Sequence, residues 1–431
     1  MGYRYFFLLT FVLSTRLFSQ ELYFPPLVGD EWDTLSPASL NWCEDKISAF
    51  YSFLEEKNTK SFILLKNGKI VLEKYFDGFT RDSVWYWASA GKSMTAVLAG
   101  IARQEGLLDI SDSVSEHLGT GWTSAPPDKE ALITIRHQLT MTTGLDETVN
   151  FTCTDPACLV YKADAGTRWA YHNGPYTLLT NVVEAASGMT YNQFFFNKIS
   201  IKTGITGVWI PLADNRILFS KARSMTRFGL LLLNGGYWND TPVMTDPDYI
   251  AEMINTSQPH NKSYGYLWWL NGKESFMLPG TQLVFPGPLF PDAPPDVYAA
   301  PGKNAQYLNV APSEGIVFVR MGENPDSSLV PVSFNNEIWQ YINGLECAPD
   351  AVDENTQKTV GIYPNPATGF LQIDLPDIYT DYEVSVFDII GQRVIRRYNK
   401  KELDVSTLLP GIYIIKIKSE EKEFTEILAI Q

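Results

Sequence analysis

The stretch WASAGKSMTA, residues 87–96, places Ser89 one helical turn before Lys92. Small and apolar residues continue at helical spacing after Ser89, and Gly106 is a typical stop, so the pattern predicts a helix that begins near Ser89. Residues three apart lie on one face of a helix. The hydroxyl of Ser89 at the helix start and the amine of Lys92 one turn inside can therefore meet.

Two interpretations of this S-x-x-K are open. In the first, Ser89 is a nucleophile, and the helix N-terminus offers free N–H groups to a developing oxyanion. Burial lowers the pKa of the lysine from about 10.4, so that neutral Lys92 takes the serine proton. In the second, Ser89 caps the helix and Lys92 is solvated. The bare triplet spacing favours the second, and it recurs at Ser419 and Lys422, in what reads as a charged surface turn.

A loop further along the chain supplies a partner for the pair. The segment AGTRWAYHNGPYTLL, residues 165–179, carries Y-x-N at Tyr171 and Asn173. The same triplet also begins at Tyr237, Tyr307, Tyr341 and Tyr363. Only the Tyr171 copy lies in a loop rich in Gly, Asn and Pro that runs directly into an amphipathic helix. We expect Tyr171 to share proton transfer with Lys92, and Asn173 to hold the lysine and a substrate amide.

A third element is expected on a strand that faces the serine. The segment VYAAPGKNAQYLNVAPSEGIVFVRMG, residues 297–322, reads as a strand, a glycine turn and a return strand. The N–H of Lys303, directly after Gly302, and the N–H of Ser89 are then the two predicted oxyanion donors. The alternative is a surface hairpin.

The order S-x-x-K, Y-x-N, glycine edge strand resembles the serine β-lactamase and penicillin-binding-protein superfamily, and most closely the class C β-lactamase-like esterases and the 6-aminohexanoate-dimer hydrolase type. The resemblance covers roughly residues 40–346. It implies an α+β fold, with an antiparallel sheet, flanking helices and an inserted helical lobe, and the site between lobe and sheet. It also implies an acyl-enzyme on Ser89, with Lys92 and Tyr171 as the base pair, and no metal or organic cofactor.

Two departures from that pattern bear on the substrate. The usual third box, K-T-G or H-x-G, is Ala300-Pro301-Gly302 here, so the first position has no cation, and Lys303 is expected to point elsewhere. The usual LLTHTSGL is LTMTTGL. These changes favour hydrolysis of an ester or a linear amide, and the expected partner is a small-molecule ester, amide or peptide substrate. A β-lactamase or D,D-peptidase is the first alternative, and a catalytically silent surface protein that binds a ligand or wall fragment is the second.

The element order supports the same fold class. SFILLKNGKIVLEKYF, residues 61–76, is a hairpin pattern around Asn67-Gly68. The pattern further predicts helices at 175–187, 221–234 and 335–346, and strands at 263–271, 297–300, 305–311 and 315–321. Strands, then helices, then strands with a closing helix fit an antiparallel sheet packed by helices.

The ends of the chain read as export segments. Residues 1–19 resemble a secretory signal peptide, 20–348 form the hydrolase domain, and 349–360 form an acidic linker. Residues 361–431 alternate some seven short strands with turns, which predicts a small β-sandwich. GIYPNPATGFLQI, VFDIIGQRV and LPGIYIIKI in it resemble the type IX secretion sorting domain, so the secretion machinery is the implied partner and the location is secreted or at the cell surface, by way of the periplasm. A carbohydrate-binding or adhesive sandwich is the alternative.

Composition excludes some partners and constrains the cysteines. A net charge of -15 argues against nucleic-acid binding, and no further apolar run predicts a transmembrane anchor in the mature chain. Four cysteines in an exported chain indicate disulfides, and of three pairings we favour Cys43–Cys347 and Cys153–Cys158. There is neither C-x-x-C nor H-E-x-x-H, so a zinc site is not expected.

Residues near the motifs complete the candidate site. Five tryptophans lie close to them, Trp85, Trp87, Trp169, Trp268 and Trp269. Most are expected in the core, and Trp169 is the pocket candidate, with Gly302 beside the serine. His172 alternates with Tyr171 and Asn173 and should face away. Asp146 and Asp164 are expected to be solvated loop carboxylates.

Overall fold

A computed structural model describes residues 22–328, 330–347, 361–375, 379–419 and 423–431. The predicted signal peptide, 1–19, and the predicted linker, 349–360, lie outside the described residues. The chain divides into two compact units, Met1–Cys347 and Ala348–Gln431.

The helices lie in the first unit. In chain order the described α-helices are α1 (Glu44–Glu56), α2 (Gly91–Gln104), α3 (Val114–Leu118), α4 (Pro127–Glu130), α5 (Ile135–Leu139), α6 (Asn173–Ser187), α7 (Tyr191–Phe195), α8 (Ile201–Thr203), α9 (Ala222–Leu233), α10 (Pro247–Met253) and α11 (Val332–Asn343).

The first unit also contains the strands β1 (Thr59–Lys66), β2 (Lys69–Tyr75), β3 (Val84–Tyr86), β4 (Val208–Leu212), β5 (Asn215–Lys221), β6 (Tyr237–Trp238), β7 (Thr241–Pro242), β8 (Trp269–Leu270), β9 (Ser275–Met277), β10 (Val284–Pro286), β11 (Tyr298–Gly302), β12 (Gln306–Ala311) and β13 (Ile316–Gly322).

A six-stranded antiparallel sheet forms the centre of this unit, in the order β2-β1-β13-β12-β11-β8. The turn at Asn67-Gly68 joins β1 to β2 as predicted, with both residues at positive φ. Helices cover both faces: Phe62 of β1 packs edge-on against Phe50 of α1, with ring centroids 5.1 Å apart, and α9 contacts β1, β12 and β13. Because both faces are covered, β1 is a nearly continuous apolar run.

A helical lobe is inserted between β2 and β8. Its central helix, α6, contacts α2, α3, α5 and α7. Helix α2 is buried from Gly91 through Ala102, and this explains why its sequence is small and apolar all round. The α+β class with an inserted lobe is confirmed, as are the helices expected at 175–187, 221–234 and 335–346, within three residues at each end.

The strand predicted at 263–271 is wrong for most of its length. Only Trp269–Leu270 pairs with β11, while the preceding segment makes a tight turn in which the Gly265 N–H donates to the Trp268 carbonyl and Leu267 has a φ of 58°. Tyr264 and Trp268 are fully buried there. The apolar run thus reflects aromatic packing rather than sheet pairing.

The second unit is a small β-sandwich, as predicted. Its strands are β14 (Gly361–Tyr363), β15 (Phe370–Asp374), β16 (Tyr382–Phe387), β17 (Arg393–Tyr398), β18 (Glu402–Asp404), β19 (Gly411–Ser419) and β20 (Glu423–Ile430). They form one sheet in the order β14-β15-β18 and another in the order β17-β16-β19-β20. Leu371 and Leu403 of the first sheet share a core with Val384, Val386 and Ile415 of the second.

Both favoured disulfides are present. Cys43 precedes α1 and Cys347 follows α11, and their Cα atoms are 5.0 Å apart. Cys153–Cys158 closes a short loop in the helical lobe. In the part of the chain that the structure describes, no helix has the length and apolarity needed to span a bilayer.

Removing each disulfide should have a different effect on stability. The chain-entropy relation predicts that Cys43→Ser/Cys347→Ser loses about 3.6 kcal/mol more than Cys153→Ser/Cys158→Ser, because the first bond closes a loop of 304 residues and the second a loop of 5. Denaturant unfolding of the two double variants under identical conditions measures the difference. Equal losses would contradict an entropic staple.

Candidate active site

Ser89 lies in a 3-10 turn, Ala88–Ala90, that leads into α2. The residue before it, Ala88, has a φ of 49°, a conformation that costs about 1–3 kcal/mol in a non-glycine residue and persists only where the surroundings enforce it. Trp87 supplies that enforcement: its indole N–H donates to the Ser220 hydroxyl at 2.7 Å, and its backbone N–H donates to a carbonyl of β5 at 2.8 Å. The turn is therefore fastened to β5.

Lys92 is buried directly beside the serine. Its Nζ lies 3.0 Å from the Ser89 Oγ, and the side chain is 4% exposed. Among the described residues it has no carboxylate partner, and the rings of Tyr176 and Tyr171 lie 4.3 and 5.1 Å from Nζ. Burial lowers the pKa of Lys92 to about 7. A neutral amine at this position can accept the serine proton.

Tyr171 completes the predicted trio. Burial raises the pKa of its phenol, a shift that the neighbouring Ser89 side chain opposes. The phenol is therefore un-ionised at neutral pH, and of the two neighbours of Ser89 the amine is the stronger candidate for the resting base. Its ring stacks on Trp269, with centroids 6.1 Å apart, and meets Tyr264 edge-on, so the hydroxyl is held in place by aromatic packing.

Asn173 is the first residue of α6, and it lines a cavity that also contains Ser89, Lys92 and Tyr171. Its backbone N–H donates to the Phe151 carbonyl at 3.0 Å. Its Oδ1 is buried without a hydrogen-bond partner in the described structure, and the hydrogen bond of the Lys92 amine goes to Ser89 instead. The expected hydrogen bond to the lysine is thus not formed, and the expected contact of Asn173 with a substrate amide stays a prediction.

The end of β11 passes against the serine turn. A Cβ built on Gly302 would lie 2.5 Å from the Trp87 carbonyl oxygen and 3.2 Å from the Ser89 nitrogen, so only glycine permits this approach. The Ser89 N–H lies in the first turn of its helix, where N–H groups have no acceptor within the helix. Lys303 follows Gly302 at the start of the β11–β12 turn. Both predicted oxyanion donors therefore belong to backbone segments in contact.

Two buried polar side chains hold that turn. Asn304 and Ala305 have φ of 62° and 59°. The Gln306 amide donates to the carbonyls of Lys303 and Asn304 at 3.3 and 3.1 Å. Arg320, fully buried, donates to the carbonyls of Asn304 and Ala305 at 2.8 and 3.1 Å, and all its hydrogen-bond acceptors are neutral. The strained turn is thus fixed from beneath.

A cavity of about 540 Å³ opens above Ser89. Its wall is mostly apolar. The lining residues are Ala88, Ser89, Lys92, Phe151, Thr152, Tyr171, Asn173, Tyr176, Asn215, Arg216, Ile217, Trp269, Leu278, Pro279, Leu289, Pro301, Lys303, Val330 and Val332. Arg216, the one guanidinium in this lining, is paired with Glu184 at 2.8 Å. The mostly apolar wall suits an apolar substrate group of small-molecule size.

Three expectations about this cavity need correction. Trp169 is 1% exposed and packs edge-on behind Trp269, with centroids 6.0 Å apart, so it is Trp269 that lines the cavity. Gly302 lies beneath the lining formed by its neighbours. Lys303, expected to point elsewhere, does line the cavity. Alternation along a strand or loop cannot tell which of two aromatic residues lies nearer the open space.

The remaining candidates lie away from the cavity. The His172 ring interacts with the Asn150 carbonyl at 3.2 Å, and His172 is not part of the cavity lining. Asp146 pairs with Lys162, and Asp164 pairs with Lys129 and the Tyr161 hydroxyl. No group of three or more His, Cys, Asp or Glu side chains within the described ranges could hold a metal ion.

Sequence reasoning missed three residues that line the cavity: Tyr176 of α6, and Asn215 and Ile217 of β5. Tyr176 lies three residues after Asn173, one turn along the same helix face, and its hydroxyl contacts Thr95 Oγ1 at 3.2 Å. Helical spacing from Asn173 could have identified it. Asn215 and Ile217 line the cavity because β5 pairs with β4 beside it, and no local sequence pattern predicts that pairing.

The chain belongs to the Beta-lactamase family, which it matches over residues 58–327. Members of this family are generally serine hydrolases. Residues 361–431 match the Secretion system C-terminal sorting domain, which indicates export to the cell surface or beyond and the secretion machinery as partner. The alternative of an adhesive or carbohydrate-binding sandwich is set aside. No curated protein sequence gives a match.

Solved structures share the fold at low identity. A protein assigned as a 6-aminohexanoate-dimer hydrolase from Bacillus anthracis has a TM-score of 0.56 and 15% identity, covering 74% of this chain and 89% of its own. A β-lactamase/D-alanine carboxypeptidase from Yersinia pestis gives 0.52 and 15%, covering 72% and 98%. A family VIII carboxylesterase gives 0.51 and 15%, covering 68% and 96%.

The lysine should control both the pH profile and the stability. With Lys92 as base, kcat/KM rises with pH through an inflection near 7, the pKa of the buried amine. Folding lowers this pKa from 10.5, so the unfolded chain binds more protons and the wild type gains stability as pH rises from about 7 to 10.5.

Lys92→Met removes the buried amine, and it should be inactive yet more stable than the wild type at pH 7, by on the order of 4 kcal/mol. The difference should shrink toward pH 10. Urea unfolding at both pH values measures it. A variant less stable than the wild type at pH 7 would show that the amine is not desolvated as described.

Gly302→Ala should separate the serine turn from β11. The added methyl meets backbone atoms, which cannot rotate away, so we expect kcat to fall by about 10²-fold, the loss typical of one oxyanion donor. Gly369→Ala is the matched control, since no atom lies within 4 Å of its added Cβ. Unchanged kcat in Gly302→Ala, with the control also normal, would exclude the backbone N–H of Lys303 as a donor.

Proposed function

We propose that the protein is a secreted serine hydrolase that cleaves esters or linear amides through an acyl-enzyme on Ser89. One observation carries the proposal: the Ser89 Oγ and a buried lysine amine with a pKa near 7 lie 3.0 Å apart, beside an apolar cavity. A solvated lysine, the competing interpretation of S-x-x-K, is inconsistent with 4% exposure.

The reaction would proceed in two halves. Neutral Lys92 takes the proton as the Ser89 Oγ attacks the carbonyl carbon, and the N–H groups of Ser89 and Lys303 receive the negative charge on the carbonyl oxygen. The ammonium of Lys92, relayed by the un-ionised phenol of Tyr171, returns the proton to the leaving alkoxide or amine. Water then attacks the acyl-enzyme, with the same pair acting as base and acid.

The β11 edge favours an ester or simple amide over an extended peptide. Beyond Ala299 the described structure pairs this strand with β12 only, so its other edge is open beside the serine. Pro301 lies on that edge, and a proline in an edge strand directs its nitrogen, which carries no hydrogen, away from the paired neighbour. A peptide laid along the edge would lack that main-chain donor.

Relative turnover of two chromogenic substrates tests the substrate class. Mature wild type should hydrolyse p-nitrophenyl butyrate and leave nitrocefin nearly untouched, because the first-position cation of the third box is absent. Ser89→Ala should hydrolyse neither substrate. Efficient nitrocefin turnover would instead establish the β-lactamase alternative.

A silent binding protein makes a different prediction. A fluorophosphonate probe should label the wild type covalently and leave Ser89→Ala unlabelled, since the adduct needs an activated hydroxyl. Thermal unfolding of both proteins checks that the variant is folded. Absence of labelling in folded wild type, together with no ester turnover, would favour the binding-only alternative.

A further inference from the structure

The small sheet β3-β5-β4 has one face buried and one exposed. Trp209 and Leu218 point to the buried face and are 3% and 0% exposed. On the opposite side, Val208, Ile210 and Leu212 of β4 are 44%, 37% and 50% exposed. An exposed strand face of this kind is normally polar, so an apolar one calls for an explanation.

Cross-strand pairing extends the apolar surface over all three strands. Val208 lies opposite Phe219, and Ile210 lies opposite Ile217. Tyr86 of β3 lies on the other side of Phe219. Directly opposed residues of an antiparallel pair project from the same face. We call the surface made by these five residues and Leu212 the outer apolar face.

The outer apolar face is continuous with the catalytic cavity. Ile217 belongs to both, because it lines the cavity and also contacts Ile210 across the β4–β5 ladder. Asn215, opposite Leu212, lines the cavity too. The apolar path from the Ser89 hydroxyl therefore continues out of the cavity and along β4.

We propose that the outer apolar face holds the distal part of a long, unbranched apolar chain of the substrate, whose reacting carbonyl lies at Ser89. This inference rests on the proposed function and deepens it: the substrate class becomes esters or amides of medium- to long-chain aliphatic acids or alcohols. The shared Ile217 is what selects this occupant, because a chain that fills the cavity meets the outer face next.

Kinetics with matched chain lengths test the inference. The probes for the acyl side are p-nitrophenyl butyrate and p-nitrophenyl decanoate. The probes for the alcohol side are butyl butyrate and decyl butyrate. All are used below the concentration at which they aggregate. In at least one series the long substrate should have a kcat/KM about tenfold or more above the short one, given the free energy of burying methylene groups.

Val208→Thr/Ile210→Thr makes the outer face polar while keeping β-branched residues in the strand. It should lower the long-to-short ratio about fivefold in that series and leave the short substrate unchanged, since apolar contact worth about one buried methylene group is lost. Leu132→Thr, at an exposed apolar position outside the cavity lining, is the control and should change neither rate.

The outcomes separate this inference from the proposed function. Turnover of the short esters with an unaltered ratio in the double variant would overturn the inference and leave the function standing. A change seen only above the aggregation concentration would assign the face to lipid surfaces, and a change only in oligomeric state would assign it to a second copy; either overturns the inference. No turnover of any ester, together with no fluorophosphonate labelling of the folded wild type, would overturn the function.

A binding measurement needs no turnover at all. Titration calorimetry of 1-decanol and 1-butanol into Ser89→Ala should show tighter binding of the longer alcohol, and Val208→Thr/Ile210→Thr added to Ser89→Ala should remove most of that preference. An equal preference in both proteins would overturn the inference even if no substrate were known.

Discussion

The structure depends on one costly contact: a lysine amine held out of water next to a serine hydroxyl, with no carboxylate among the described side chains to balance it. A buried ammonium is strongly disfavoured, so the group adapts by losing its proton near neutral pH. The fully buried helix α2 and the rings of Tyr171 and Tyr176 produce this desolvation. Stability is given up at Lys92 to obtain a base, as functional sites commonly require.

The rest of the first unit holds that contact at a fixed position beside the end of β11. The strained turn before Ser89 is fastened to β5 by Trp87, and the strained turn after Gly302 is fastened by Arg320 and Gln306. The two turns meet where a glycine leaves no side chain between them. Each is anchored in a different part of the fold, which explains why the site lies at the boundary between the sheet and the helical lobe.

Much of this could be predicted from the sequence, and the failures have a common cause. The hairpin at Asn67-Gly68, the helix after Ser89 and the order of the three motifs follow from local turn chemistry and helical spacing. Which of Trp169 and Trp269 lines the cavity, and that β5 forms a wall, depend on long-range packing. The strand prediction for residues 263–271 failed for the same reason, since apolar content alone does not distinguish a strand from a buried aromatic turn.

The pairing of β1 with β13 joins the beginning of the first unit to its end, with residues 59–66 opposite 316–322. The central sheet therefore cannot close until almost the whole unit has been synthesised, because the strand that lies between β1 and β12 comes last. Folding dominated by such distant contacts is slow, since a long loop must be ordered before the contacts form. The Cys43–Cys347 bond joins the same two ends of the unit, so it can form only after β13 has been added to the sheet.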